Sequence, residues 1–162
     1  MSKQTQTAIK TLNTAREAEI FSNFHELAVI IFGEYIKEID EYAKTREDIH
    51  FAQCNKEECF SAFKVSPGTI VLFKKFDEGR NDLTGDLTVD RLKEFLFSYT
   101  IPLIMKYDKN VQSTVFKKRI PALFLYRNLI SARTFKLDQL ITSLAEGYRD
   151  KLKTVISDIS NV

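Results

Sequence analysis

The sequence has few of the residues on which small catalytic or metal sites are commonly built. Its 162 residues include no tryptophan, two cysteines, two histidines, three prolines and five glycines. His25 and His50 have no cysteine or carboxylate partner at ligand spacing, so no metal site is expected. The chain also has no glycine-rich phosphate loop and no nucleophile elbow. We therefore predict no cofactor.

The sequence likewise lacks a large excess of one charge and a long apolar run. Lysine and arginine total 24 and aspartate and glutamate total 22, so the net charge is +2 and gives no electrostatic basis for binding nucleic acid. The longest apolar run, Leu27–Phe32, is far shorter than the roughly 20 residues that span a bilayer. No signal peptide opens the chain, and we expect residues 1–7 to be a flexible tail. We predict neither nucleic acid nor a membrane as a partner.

Hydrophobic residues make up 44% of the chain. They are arranged in strand and helix patterns that alternate regularly along the sequence. Thr14, with Glu17 three residues later, forms a capping box that begins the first helix. Asn55 with Glu58 predicts the start of the third helix, and Thr88 caps the fourth. The predicted strands are 8–12, 28–32, 49–54, 69–75 and 82–87, and the predicted helices end near 23, 46, 64 and 99. This order is βαβαβα followed by ββα, which implies right-handed parallel crossovers and a terminal antiparallel hairpin in one sheet.

Residues 68–82, GTIVLFKKFDEGRND, predict a buried strand that ends in a highly charged turn. The run from Thr69 is continuous and apolar, as in a strand that is covered on both faces. Gly79 is free to adopt the positive φ that a hairpin turn needs. Asp77, Glu78 and Arg80 form either a recognition patch or a solvated hairpin tip that prevents pairing with other sheet edges, and we favour the hairpin tip.

The element order is that of the thioredoxin fold, and one segment makes the resemblance more specific. VLFKKFDEGRND, the following Gly85 and LKEFLFSYTIPLIMKYD resemble the non-catalytic b domain of protein disulfide isomerases, over most of residues 8–107. RIPALFLYRN, with the helix and strand after it, resembles the start of the next domain, b-prime. We therefore predict an α/β chain: a thioredoxin-like b domain (βαβαβαββα) at 8–100, then a truncated b-prime-like domain (βαβαβ) at 101–162.

The second unit has the pattern of only part of a domain. Its predicted strands are 101–107, 120–126 and 154–159. A helix at 111–118 precedes a clear helical stripe, which consists of Leu137, Leu140, Ile141, Leu144, Ala145 and Tyr148. Without a closing hairpin and helix, a sheet edge and one apolar face lack cover. We expect this unit either to form a homodimer, through strand exchange, or to pack against the first domain.

The resemblance implies where a catalytic motif would lie, and this sequence departs from it there. A redox-active member has Cys-x-x-Cys after the central strand, at a helix N-terminus that stabilises the thiolate. The equivalent positions here are Gly33, Glu34, Tyr35 and Ile36, which include no thiol. Pro67 lies one residue before the position of the proline that normally faces the thiols. We predict no catalytic residue in this chain.

Cys54 and Cys59 have two interpretations. With Asn55 as the helix cap, Cys54 lies just before the cap and Cys59 is the fourth helical residue, which are the positions of a hydrophobic staple. The same proximity permits a Cys54–Cys59 disulfide in an oxidising compartment. We favour the staple of unlinked thiols.

The resemblance implies a non-catalytic, substrate-binding and spacer region of a protein disulfide isomerase in the lumen of the endoplasmic reticulum. Its expected partners are unfolded or partly folded polypeptides and the flanking catalytic domains of the parent chain. The expected peptide contacts are Ile120, Leu123, Phe124 and Phe135, each of which is otherwise an ordinary core residue. Two alternatives remain: a thioredoxin-fold thiol reductase or peroxidase that uses Cys59, and a self-standing interaction module.

Overall fold

The computed structural model describes residues 7–127 and 134–158, and the chain divides into two compact units, 1–96 and 97–162. Most of the predicted tail lies outside the described residues. In the part of the chain that is described, no helix is long and apolar enough to cross a membrane.

The first unit has the element order that the sequence predicts. Its strands are β1 (Ile9–Thr11), β2 (Leu27–Phe32), β3 (His50–Cys54), β4 (Thr69–Lys74) and β5 (Arg80–Leu83). Its helices are α1 (Ala15–Phe24), α2 (Lys37–Ala43), α3 (Glu57–Phe63) and α4 (Val89–Tyr99), the last of which extends into the second unit. The sheet order is β1-β3-β2-β4-β5. β1, β3 and β2 are parallel, while β4 and β5 are antiparallel additions, as predicted for the terminal hairpin.

The centre of this sheet is the core of the unit. β2 and β4 pair in an antiparallel ladder, in which Ile30 lies opposite Val71 and Val29 opposite Leu72, and all four side chains are fully buried. Burial of each such side chain stabilises the fold by about 1.5–3 kcal/mol. The continuous apolar runs therefore belong to strands that are covered on both faces, as predicted.

The first helix begins as the sequence predicts, with one difference. The Glu17 N–H donates to Thr14 Oγ1 at 3.1 Å, which satisfies one of the free N–H groups at the helix start. The Glu17 carboxylate accepts the N–H of Asn13 at 2.8 Å, one residue before the cap.

Several predicted boundaries of the first unit are wrong. The second helix is predicted at 34–46, but α2 spans Lys37–Ala43, because residues 33–36 form an irregular junction after β2 in which Ile36, the N-cap residue, is extended. α3 begins at Glu57 with Lys56 at the N-cap, so Asn55 is not the cap. β5 spans Arg80–Leu83 instead of the predicted 82–87, because Arg80 already pairs with Phe73 of β4.

The charged turn between β4 and β5 is held together by its own charges. The Lys74 side chain is fully buried and its Nζ lies 2.7 Å from Glu78 Oε2. The Lys74 N–H donates to the carbonyl of Gly79, and Gly79 has the predicted positive φ of 77°. Arg80 forms two hydrogen bonds with Asp82. These contacts support the structural interpretation of the turn.

The second unit has the predicted βαβαβ order. Its strands are β6 (Ile104–Lys106), β7 (Ala122–Arg127) and β8 (Lys153–Asp158), and its helices are α5 (Lys109–Lys117) and α6 (Thr134–Gly147). The sheet order is β6-β8-β7, with every pair parallel. Asp108 caps α5 by accepting the N–H of Val111 at 2.6 Å.

A buried lysine lies at the start of β8. Lys153 is 1% exposed, and its ammonium donates to the carbonyls of Ser98 and Arg149 at 3.1 and 2.8 Å. It also lies 4.6 Å from the centre of the Phe97 ring. These partners stabilise a charge that would otherwise be costly to bury.

Candidate functional site

The junction after β2, where a redox motif would lie, is a shallow pocket with tightly packed backbone. The Gly33 N–H donates to the carbonyl of Cys54 at 3.2 Å, and the Gly68 N–H donates to the carbonyl of Phe32 at 2.7 Å. A Cβ atom at Gly33 would lie 3.1 Å from the Gly68 nitrogen, so only glycine fits without a shift. The cavity beside this junction has a volume of about 430 Å³.

The side chains of this pocket provide no group for thiol–disulfide exchange. The residues that line it are Ile31, Gly33, Glu34, Tyr35, Ile36, Asn55, Pro67, Gly68 and Leu87. Desolvation, a hydrogen bond with Asp40 and nearby carboxylates raise the pKa of Tyr35, so its phenol stays protonated at neutral pH. The pocket therefore lies where a redox-active thiol pair would lie, but no cysteine lines it.

Cys54 and Cys59 are joined by a disulfide, with their Cα atoms 6.5 Å apart. The preferred interpretation from the sequence, a staple of unlinked thiols, is therefore wrong, because Lys56 rather than Asn55 caps the helix and Cys59 is its third residue. Both cysteines are 0% exposed and belong to the core cluster of the first unit. The bond ties the end of β3 to the first turn of α3, and neither sulfur is accessible to a substrate.

The two histidines, which the sequence analysis treats as separate, form a stacked pair. The rings of His25 and His50 lie 3.7 Å apart, and Phe21 and Phe24 pack edge-on against His25. Partial burial and the positive charges of His50, Lys10 and Lys75 lower the pKa of His25. Among the described residues no group of three or more metal-ligating side chains occurs.

The second unit exposes an apolar surface on β7 and α6. We call this the β7–α6 surface and define it by Leu123, Leu125, Tyr126, Leu140, Ile141 and Leu144, which surround a cavity of about 230 Å³ together with Thr154. Leu123, Tyr126, Leu140 and Leu144 are 47%, 67%, 57% and 51% exposed. Exposed apolar clusters of this kind commonly mark interaction sites.

The residues predicted to contact peptide are distributed unequally around this surface. Leu123 belongs to it, while Phe124 and Ile120 are partly buried and do not line its cavity. Phe135 is in α6, but its side chain lies outside the described part of the chain. The helical stripe of the sequence includes Leu140 and Leu144 but does not predict that they are exposed, because exposure depends on how much of α6 the sheet covers.

Comparison with known proteins decides the family. The family model described as "Thioredoxin-like domain" matches residues 32–162, most of the chain. The chain belongs to the thioredoxin-like domain family.

This thioredoxin-like chain is also similar to protein disulfide-isomerases along almost its whole length. It is 33% identical to the protein disulfide-isomerase of Gallus gallus over 166 residues, which is 98% of this chain and 32% of that protein. The identity to the enzyme of Oryctolagus cuniculus is 30%, with the same shares. The chain therefore spans about a third of the length of the curated relatives it matches. The resemblance stated from the sequence is confirmed.

Two solved structures share the fold of the thioredoxin-like chain. The crystal structure of the bb fragment of ERp72 has a TM-score of 0.56 at 17% identity and covers 94% of this chain and 75% of that chain. Human ERp44 in its zinc-bound form has a TM-score of 0.64 at 12% identity and covers 96% of this chain and 44% of that chain. At these identities the likeness supports the fold alone.

Proposed function

We propose that this thioredoxin-like chain is the non-catalytic, substrate-binding and spacer region of a protein disulfide isomerase. The observation behind this proposal is the junction after β2, where Gly33, Glu34, Tyr35 and Ile36 replace a thiol motif while the thioredoxin-like frame is retained. The chain's two cysteines are buried in a bond with each other. Redox chemistry would then come from flanking catalytic domains of the parent chain, and this region would support its oxidative folding and chaperone activity.

The β7–α6 surface is the proposed site for unfolded or partly folded polypeptide. It offers exposed leucines and a tyrosine beside a cavity of about 230 Å³, which suits apolar side chains of an unfolded segment. Leu123 and Phe124 are the predicted contacts on β7, and Ile120 and Phe135 are proposed as further contacts in the same interaction. We place the protein in the lumen of the endoplasmic reticulum, on its similarity to protein disulfide-isomerases.

Titration of the isotopically labelled chain with an unfolded apolar peptide tests this site. We expect amide shifts in β7 and α6, and Leu123→Lys should weaken binding about tenfold because one buried leucine contributes about 1.5–3 kcal/mol. Phe116→Lys is the matched control, since Phe116 is 64% exposed on α5 and does not line the cavity. Shifts confined to the first unit, or equal losses in the two variants, would contradict the site.

The insulin-reduction assay separates this proposal from a thiol reductase that uses Cys59. We expect no turnover by the chain alone, since Cys59 is 0% exposed and bonded to Cys54. Turnover that disappears in Cys59→Ser would overturn the non-catalytic assignment.

A further inference from the structure

The stacked histidines line a cavity of the first unit. His25 follows α1 as its C-cap residue, and His50 begins β3. Both line a cavity of about 400 Å³, which we call the histidine cavity. Its charged side chains are one acidic residue and five basic ones: Glu47, and Lys10, His25, Lys44, Arg46 and His50. This excess of basic groups favours an anionic ligand.

Two of the five basic groups have carboxylate partners, and the other three have none. Lys44 Nζ lies 3.4 Å from Asp40 Oδ2, and Arg46 Nη2 lies 2.9 Å from Asp48 Oδ2. In the described part of the chain, no carboxylate lies within ion-pair distance of the remaining three, which are Lys10, His25 and His50. These three groups are therefore available to an anion from outside the chain.

The two imidazole rings are surrounded by further positive charge. Partial burial and then the positive charges of His50, Lys10 and Lys75 lower the pKa of His25, and no carboxylate acts in the opposite direction. Two protonated rings with their centres 3.7 Å apart repel each other. An anion bound beside the rings would offset this repulsion and favour their protonated forms.

The cavity also has an apolar floor. Four of its lining residues are buried apolar side chains, namely Phe21, Ala43, Ile49 and Phe51. A concave site with an apolar surface and a few placed polar groups holds the apolar part of a ligand and orients the polar part. The ligand that fits is an organic anion and not a bare inorganic ion.

We propose that the histidine cavity binds an organic carboxylate, whose apolar group lies on the floor formed by Phe21, Ile49 and Phe51 and whose carboxylate contacts Lys10 and the two protonated imidazoles. The stacking of the rings does not suit a metal ion in their place. A metal ion lies in the plane of each imidazole that binds it, and planes that differ by only 17° do not meet within bond length of both rings.

The affinity for the carboxylate should depend on pH. An anion binds protonated imidazoles better than neutral ones, so binding raises the pKa of the histidines and the affinity rises as the pH falls. The other charged groups around the pair are Lys10 on β1, Lys44, Arg46, Glu47 and Asp48 after α2, and Lys75 after β4. Side chains of these types ordinarily keep their charge between about pH 5.5 and pH 7.5. The histidines should therefore set the dependence.

Titration of the isotopically labelled chain with phenylacetate, followed by the ring signals of His25 and His50, tests the site. We expect a Kd on the order of 1 mM at about pH 5.5 and binding about three- to tenfold weaker at about pH 7.5. Acetate lacks the apolar ring and phenylacetamide lacks the charge, so each should bind at least about threefold more weakly than phenylacetate at about pH 5.5. No binding of phenylacetate at about 10 mM, or equal affinity for the three compounds, would overturn the proposal.

Substitutions separate this cavity from a general attraction of anions to basic groups. Lys10→Gln should weaken the binding of phenylacetate at least about threefold. Lys56→Gln is the matched control, because Lys56 is also exposed but lies after the end of β3, whereas His50 lies at its start. It should change the Kd less than about 1.5-fold. Equal losses in the two variants would overturn the assignment to the cavity.

The double variant His25→Gln/His50→Gln tests the role of the imidazoles. It should bind phenylacetate with nearly the same Kd at about pH 5.5 and pH 7.5, because no group that titrates in this range remains at the site. Unchanged pH dependence in this variant would overturn the role of the histidines. A matching urea unfolding midpoint at about pH 7.5 would show that the variant keeps the fold.

A short peptide that ends in phenylalanine distinguishes two sources of the same chemistry. If the peptide with a free terminal carboxylate binds more tightly than phenylacetate, the natural ligand is the end of a polypeptide chain. If it binds more weakly, the natural ligand is a small molecule. In both cases amidation of the terminal carboxylate should weaken the peptide at least about threefold, and equal binding of the amide would contradict the need for a carboxylate.

Discussion

At the scale of single residues, the pKa of His25 makes the stability of the first unit depend on pH. The pKa of His25 is lowered from its ordinary value of 6.5, so the unfolded chain binds this proton more readily than the folded chain. His25 therefore stabilises the fold above about pH 6.5, and this contribution is lost as the pH falls through the lowered folded pKa. We expect the free energy of unfolding, measured with urea, to fall between about pH 7.5 and pH 5. The fall should be smaller in His25→Gln, and an identical fall in the variant would show that His25 is not its cause.

Removal of the Cys54–Cys59 disulfide should lower the stability of the chain. Cys59 follows Cys54 at a sequence separation of 5, and closing so short a loop stabilises a fold by about 2 kcal/mol in the chain-entropy account. Cys54→Ala/Cys59→Ala should lower the free energy of unfolding by at least this amount, because both side chains are also buried. Alkylation of the protein after unfolding in denaturant without reductant, followed by intact-mass measurement, should show no added group. Two added groups would restore the interpretation as a staple of unlinked thiols.

At the scale of elements, the junction between β2 and α2 depends on two glycines in close contact. Gly33→Ala would bring a Cβ atom within 3.1 Å of the Gly68 nitrogen and disturb the 2.7 Å bond from that N–H to Phe32. We expect this variant to lose about 1–3 kcal/mol of stability to overpacking. Gly147→Ala is the control, since a Cβ there meets no atom within 4 Å, and it should be neutral or stabilising by up to about 1 kcal/mol. Equal effects of the two substitutions in chemical unfolding would contradict the close packing.

The sequence predicts well those helices and strands whose positions are set by residues close to them in the chain. Thr14 and Glu17 fix the start of α1 within four residues, and β2 and β4 follow from uninterrupted apolar runs. The start of α3 was wrong because distant contacts set it: the carboxylate of Glu58 accepts the N–H of Ala15 at 3.1 Å instead of capping its own helix.

The candidate sites that the sequence predicts are likewise those formed by neighbouring residues, and the ones it misses are formed by residues that the fold brings together. The absence of a thiol motif is visible in four consecutive residues, and Leu123 was predicted as a contact. The histidine pair was missed because β2 and β3 bring it together, with Ala28 opposite His50 in the parallel ladder. The buried ammonium of Lys153 was missed for a similar reason, since one of its partners, Ser98, lies 55 residues away on α4.

At the scale of the whole molecule, the two units differ in how much apolar surface they bury. The described core of the second unit consists of Val115, Ile141, Ala145, Val155 and Ile156, whereas β2 and β4 alone bury more large side chains than that. We expect hydrogen exchange in rising denaturant to release the amides of β8 before those of β2. One shared midpoint for β2 and β8 would contradict this division.

The charged turn has a consequence for the use of proteases as structural probes. Lys74 and Lys75 form a dibasic pair, the kind of sequence that trypsin-like enzymes cleave, and both directly precede the charged turn between β4 and β5. Lys74 is bonded to Glu78, its side chain is fully enclosed, and its backbone is paired with Leu27 of β2. Because a protease needs an extended and accessible segment, native digestion should spare the bond after Lys74 for as long as the first sheet is intact. The appearance of a cut there would therefore mark the opening of β4 itself.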